Sequence, residues 1–234
     1  MTNSSRPNVV VVLGSQSSVI RPIVESLAQE CLVVRLFNRT LPAPLENCID
    51  VMEASRLSEC LDDLQIEPDS QRLGFIGAAF SRQRSLFINE TAESLNLQVS
   101  TNITLYLNIM SELIPRMVRA KYGRSIYLSS FRADSPVKGT TVYSASKAFG
   151  EAFFSGLGKE YGRFNVSASS IRMGYFETGM MEDYGIDRQR LARQTVSMNR
   201  FGTSDDLLNA INFAFETPYF SSGVMDLNGG LSLG

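Results

Sequence analysis

Short runs of β-branched and apolar residues alternate along the chain with longer stretches whose apolar positions recur every three to four residues. The short runs predict strands at Val9–Leu13, Leu32–Phe37, Cys48–Val51, Leu73–Ala79, Ser125–Ser129, Val166–Ile171 and Val224–Leu227. Several are apolar at successive positions, the pattern of strands covered by helices on both faces. Past Gly14 the spacing predicts an amphipathic helix. Val19, Ile20, Ile23, Val24 and Leu27 share one face, and Arg21, Glu25 and Gln29 lie opposite. Pro22 fits because it falls in the first turn, where its missing N–H has no partner to lose. In "TSDDLLNAINFAFE", Thr203 or Ser204 can cap a helix whose positive end Asp205 and Asp206 favour. Pro115 is expected to kink or end the long helix that precedes it. The alternation of strand and helix predicts a parallel, doubly wound α/β sheet of about seven strands with right-handed crossovers. No repeat, low-complexity tract or linker interrupts the 234 residues, so one domain is expected over 1–234. Its polar residues 1–8 are expected to form a flexible N-terminus.

Composition narrows the chemistry. The chain is 44% hydrophobic and 20% charged, with a net charge of −2. No basic field would draw it to nucleic acid or to an anionic membrane. No signal peptide or bilayer-spanning stretch is visible, and a cytoplasmic location is expected. There is no histidine. That excludes Ser-His-Asp and Cys-His catalysis and His-ligated metal sites, leaving proton transfer to Tyr, Lys, Asp, Glu or Cys. Cys31, Cys48 and Cys60 are odd in number and widely spaced. They predict buried free thiols in a reducing compartment, and no metal site.

Two stretches carry candidate chemistry. In "VVLGSQSSVI", Gly14 ends the first apolar run and a helix follows. Glycine permits the tight bend, and a helix start offers free N–H groups to a pyrophosphate. A lone glycine after a strand is equally the mark of a simple turn. In "VYSASKAFGEAF", Tyr143 and Lys147 stand four apart, on one face of a helix. A free phenol has a pKa near ~10, and an ammonium one turn away favours the phenolate. Tyr143 could then exchange a proton with a carbonyl or alcohol oxygen. A surface tyrosine stacked on a lysine stem has the same spacing.

With these residues the sequence resembles the short-chain dehydrogenase/reductase family nearly end to end. The family's Tyr-x-x-x-Lys falls on Tyr143 and Lys147. Its active-site serine, thirteen residues earlier at a strand end, falls on Ser130 in "SIYLSSF". Its asparagine falls on Asn102 in "STNITLYLNIMSELIPRM". "MGYFET" keeps Gly174 and Thr178 of the segment after the sixth strand, and "GVMDLNGG" resembles the closing strand and turn. Three departures stand out. The glycine loop keeps Gly14 but has Ser18 and Ile20 at its other two glycines. The Asn-Asn-Ala-Gly segment reads "IGAA", Ile76 to Ala79. The proline before Gly174 is Met173. Ser18 is the mildest such addition, since its hydroxyl can donate to phosphate or cap the helix. Ile20 is expected to push the helix outward or to pack where Ala78 and Ala79 are small.

The resemblance implies a Rossmann-type fold and a catalytic set of Asn102, Ser130, Tyr143 and Lys147. It implies a coenzyme held by Gly14, Gln16, Ser17, Ser18 and Val19 in the first loop. Asn38 and Arg39 would follow the second strand, and Asp50 and Val51 would meet the adenine. Ala78, Ala79, Tyr143, Lys147, Gly174, Phe176 and Thr178 would surround the nicotinamide half. NAD sites place a carboxylate after the second strand. "RLFNRT" has none there, and Arg39 could hold a 2′-phosphate, so NADP(H) is favoured over NAD(H).

The expected function is therefore NADP(H)-dependent interconversion of a ketone and a secondary alcohol, by a ketoreductase similar to those acting on 3-oxoacyl carriers. Tyr143 would trade the proton, Ser130 would steady the reacting oxygen, and Lys147 would hold the nicotinamide ribose. Asn102 would anchor a water linking Lys147 to solvent, and Thr178 would fix the carboxamide. The substrate is expected to be a small carbonyl or alcohol compound, free or carrier-bound. Residues 175–201 would cover it, with Tyr175, Phe176, Met180, Met181, Tyr184 and Met198. Arg132 and Arg82 are candidates for reading an anionic group. Lys121 and Arg163, near Arg119 and Arg124, could meet an acidic carrier or simply be solvated. A homodimer or homotetramer is implied. The alternative is a dinucleotide-binding sensor or scaffold that has lost turnover.

Overall fold

In the computed structural model, the structure describes residues 6–37, 45–51, 53–64, 70–81, 83–177 and 185–231. Seven parallel strands form one sheet. They are β1 (Val9–Leu13), β2 (Leu32–Leu36), β3 (Cys48–Val51), β4 (Leu73–Gly77), β5 (Gly123–Ser130), β6 (Val166–Met173) and β7 (Val224–Leu227). Their spatial order is β3-β2-β1-β4-β5-β6-β7. The order reverses between β1 and β4, and a crevice opens there at the carboxyl ends of the strands.

Side chains alternate across the sheet, and each face buries a separate core. One face takes Val9, Val11 and Leu13 together with helices α2 (Leu57–Asp63), α4 (Leu105–Arg119) and α5 (Thr141–Tyr161). The other takes Val10 and Val12 together with α1 (Ile20–Leu27) and α7 (Ser204–Glu216). Each fully buried aliphatic side chain contributes roughly 1.5–3 kcal/mol, which is why the alternation dictates the layering. The buried stripe of α1 is Ile20, Ile23, Val24 and Leu27, as the periodicity predicts. Thr203 caps α7 in a reciprocal box with Asp206. Two further helices are α3 (Ala92–Val99) and α6 (Ile186–Gln194).

Four expectations are corrected. Of the kink or end expected at Pro115, the end does not occur: α4 continues to Arg119. The lost N–H bond would have gone to the Ser111 carbonyl. Both residues lie on the exposed side, where solvent reaches that oxygen. Residues 6–8 are tied down rather than loose. Arg6 pairs with Glu30 and Glu216, and Asn8 bonds Ser70 and Arg72. Arg124 is buried and donates to the carbonyls of Phe215, Gly123 and Asn165, so it presents no charge to a carrier. Strand limits also differ. β5 and β6 pair in register from Gly123 opposite Val166 to Ser130 opposite Met173, longer than their apolar cores suggest. β2 and β4 stop at Leu36 and Gly77, short of the predicted Phe37 and Ala79.

The three cysteines are free and half-buried, and burial pushes the Cys31 thiol up to about 12. Among the described residues no helix is long and apolar enough to cross a membrane, and no side-chain group could hold a metal ion.

Candidate active site

The strand ends open on one cavity of about 590 Å³. Beside it, the turn after β1 begins at Gly14, which has φ +83°, a conformation open to glycine at little cost. A Cβ there would come within 2.6 Å of the Ala79 nitrogen, so the first turn and the loop after β4 touch backbone to backbone. The Ala78 N–H donates to the Leu13 carbonyl at 2.9 Å and locks that contact. The turn closes with Ser17 N–H donating to the Gly14 carbonyl at 3.3 Å. Ile20 and Ala78 share one apolar cluster, so the departure at Ile20 is absorbed against a small neighbour. The Ser15 hydroxyl is buried and has no hydrogen-bond partner.

Strand β5 delivers Ser130 to the cavity wall. A short 3₁₀ turn follows, and the Arg132 backbone N–H donates to the Ser130 hydroxyl at 3.2 Å. Helix α5 delivers Tyr143 and Lys147 one turn apart, both buried. The Tyr143 ring meets Phe80 edge-on at 5.7 Å. The Lys147 Nζ donates to the Leu128 carbonyl at 2.7 Å and lies over the Tyr127 ring at 4.8 Å and the Phe80 ring at 5.1 Å. Burial lowers the Lys147 pKa to about 7, and Glu151, one turn further on, pulls it upward. Glu151 is itself held tightly. It accepts from Ser129 Oγ at 2.6 Å and from two Arg172 nitrogens at 3.0 and 2.8 Å. The helix approaches β5 closely because Gly150 leaves room for the Tyr127 ring, which would sit 2.2 Å from a Cβ.

Asn102 lies in a π-helical turn, Ser100–Thr104, that joins α3 to α4. Such turns often occur at functional positions. Its carboxamide accepts from the Ser81 N–H at 2.7 Å and donates to the Ser81 carbonyl and Ser146 hydroxyl. The side chain thus clamps the loop after β4 to α5.

The cavity brings together Ser17, Ser18, Val19, Ala78, Ser130, Tyr143, Lys147, Gly174 and Phe176. Gly14, Gln16 and Ala79 shape the adjoining loops without lining it. Asp50 and Val51 also lie off it. The Asp50 carboxylate is taken by Arg35, in two bonds of 2.7 and 2.8 Å. Asn38, Arg39, Arg82, Thr178, Met180, Met181 and Tyr184 lie outside the described residues. Of the covering segment, Tyr175, Phe176, Arg188, Leu191, Ala192 and Thr195 line the cavity, and Met198 does not. Phe80, Arg84 and Arg188 escaped the sequence reading because they sit outside any motif. Glu151 was readable, since it repeats the spacing of four beyond Lys147.

The chain is similar to proteins already known. The family model described as short chain dehydrogenase matches residues 75–189. The 3-oxoacyl-[acyl-carrier-protein] reductase of Bos taurus is 26% identical over 170 residues, 72% of this chain and 70% of that protein. Carbonyl reductase family member 4 of Xenopus tropicalis is 22% identical, covering 96% of this chain and 98% of its own. A crystal structure of a 3-oxoacyl (acyl-carrier-protein) reductase from Agrobacterium tumefaciens C58 with NADP bound shares the fold. Its TM-score is 0.83 at 17% identity, over 96% of this chain and 94% of that one. The chain belongs to the short-chain dehydrogenase/reductase family and is an oxidoreductase of that family.

Proposed function

We propose that this protein is an NADP(H)-dependent reductase or dehydrogenase interconverting a ketone and a secondary alcohol. The observation that carries the reading is that Ser130, Tyr143 and Lys147 face the same cavity as Ser17, Ser18 and Val19 of the loop after β1. A proton-transfer group and a helix start suited to phosphate thus share one space.

The loop fits a dinucleotide on its own terms. Gly14 leaves no Cβ between the turn and Ala78–Ala79. The partnerless Ser15 hydroxyl is buried in the same turn. Ser17, Ser18 and Val19 would hold the pyrophosphate, and Gly174 and Phe176 the nicotinamide end. When bound, the reduced coenzyme supplies a hydride to the carbonyl carbon. The phosphorylated form is favoured because no carboxylate follows β2 in "RLFNRT".

The chain's own residues handle the oxygen. Ser130 has one lone pair occupied by the Arg132 N–H, so its own hydrogen is available to the substrate oxygen. That bond strengthens as negative charge develops there. Tyr143 gives its phenolic proton to the same oxygen, and the alcohol forms. The phenolate left behind is favoured by the ammonium of Lys147, which the Leu128 carbonyl orients. Oxidation runs these proton movements in reverse. Asn102 is a positioning residue whose clamp on Ser81 and Ser146 fixes the loop against α5.

The substrate is free or carrier-bound, and two or four copies assemble through the long helices. The alternative of a sensor without turnover draws only on Ser18 and Ile20 replacing glycines. One experiment separates the two. NADPH binding followed by fluorescence, then a ketone panel with wild type and Tyr143→Phe, gives binding plus Tyr143-dependent turnover for the enzyme. Binding alone marks the sensor.

A further inference from the structure

The cavity is cationic in a way that proton transfer does not explain. Arg84, Arg132, Lys147 and Arg188 line it, and among its described lining residues there is no Asp or Glu. The whole chain, by contrast, carries a net charge of −2. Lys147 has its own task. Arg132 does not.

Arg132 follows Ser130 by two residues, its backbone N–H donates to the Ser130 hydroxyl, and both residues line the cavity. Its guanidinium is held in place from three sides. It lies 4.2 Å over the Phe131 ring, its NH1 donates to the Ser135 carbonyl at 3.3 Å, and its NH2 reaches the Tyr175 hydroxyl at 3.4 Å. These partners are all neutral. Among the described residues Arg132 forms no ion pair, unlike Arg35 and Arg172, which are each matched by a carboxylate. Among the described residues two of its five N–H donors are used, which leaves the others for a ligand. A guanidinium already ordered by stacking and neutral bonds loses little side-chain freedom on binding an anion. Its planar fork matches a carboxylate or a phosphate.

Phe131, Met173, Phe176 and Leu191 add apolar surface to the same cavity.

Resting on the reading of the site as a ketone/alcohol oxidoreductase, we propose that its substrate is an oxyanion-bearing oxo or hydroxy compound. Arg132 binds the substrate's carboxylate or phosphate while Ser130 and Tyr143 hold the reacting oxygen. Arg132 is then a specificity residue, and Arg188 on α6 adds a second cation at the same cavity.

Matched pairs test this. Oxo acids with the ketone two to five carbons along are compared with their methyl esters, and dihydroxyacetone phosphate with dihydroxyacetone, using NADPH. Wild type should prefer the anionic member of at least one pair by roughly 10- to 100-fold in kcat/KM, as loss of a charge-assisted bond implies. Which pair responds tells carboxylate from phosphate. Arg132→Gln should bring the ratio to within about threefold, and Arg132→Lys should restore part of it, since a point charge lacks the fork. Equal rates on anionic and neutral members, or an unchanged ratio in Arg132→Gln, overturns the proposal while leaving the ketoreductase reading standing. If no ketone is reduced at all, that reading falls, and calorimetry still decides this one. Short dicarboxylates or inorganic phosphate should bind wild type more tightly than Arg132→Gln, and equal affinity for both overturns it.

Discussion

The Ser130 hydroxyl accepts the backbone N–H of Arg132 at 3.2 Å. Because that donor belongs to the main chain, it survives any change of side chain at position 132 except one to proline. The 3₁₀ turn itself thus occupies one lone pair of the serine oxygen and leaves the hydroxyl able to donate elsewhere. Ser130→Ala removes the one side-chain hydroxyl besides Tyr143 assigned to the reacting oxygen. It should lower kcat by about 10²- to 10³-fold with little change in NADPH affinity. Steady-state kinetics beside a fluorescence titration checks this.

Lys147 couples stability to pH. Burial puts its folded-state pKa near 7, below the ordinary lysine value of 10.5. Below pH 7 both folded and unfolded chains carry the proton, and the folded chain bears the full cost of the buried charge. Between about 7 and 10.5 the unfolded chain binds more protons, so this group's contribution to stability rises with pH. In coenzyme-free protein, Lys147→Met should therefore be more stable than wild type at pH 6.5, and the difference should shrink toward pH 10. Thermal melts of both proteins across that range give the result.

Glu151 ties three elements together through Ser129 on β5 and Arg172 on β6. Arg172 also approaches Asp134 at 3.7 Å and Asp226 at 3.5 Å, so it keeps weaker partners if Glu151 is lost. Glu151→Gln should cost about 2 kcal/mol in urea unfolding, less than the loss of a wholly buried pair. It should also move the Lys147 transition further below 7, because the carboxylate that opposes burial is gone. A midpoint that stays at the wild-type value would show that Glu151 does not reach Lys147.

Gly14→Ala meets two obstacles. The φ of +83° disfavours any Cβ, and the added atom lies 2.6 Å from the Ala79 nitrogen. Destabilisation of at least ~2 kcal/mol is expected, with weakened NADPH binding at pH values where the variant is still folded. Chemical denaturation and calorimetry read the two effects separately.

All seven strands were legible, because stretches such as "VVVVL" can only be buried on both faces. The ends of β5 and β6 were not. Arg124 is polar yet buried, and Ser130 and Arg172 are polar and half-buried, so an apolar count stopped short of them. The Tyr143–Lys147 pair was legible because helical spacing alone brings it to one face. Asp50 was not, since its partner Arg35 lies fifteen residues away and meets it only through the β2–β3 register. The cationic cavity was half legible. Arg132 stood near Ser130 in sequence, whereas Arg84 and Arg188 arrive from separate segments.

The central claim is that Tyr143 passes its proton to a substrate oxygen in a coenzyme-loaded cavity. Single-turnover reduction of a ketone, followed by loss of NADPH absorbance in wild type and Tyr143→Phe, tests it most directly. The account predicts equal NADPH affinity in the two proteins and a rate at least ~10²-fold lower in the variant, the scale of general acid catalysis. Equal rates in the two proteins, or no NADPH binding by wild type, would contradict it.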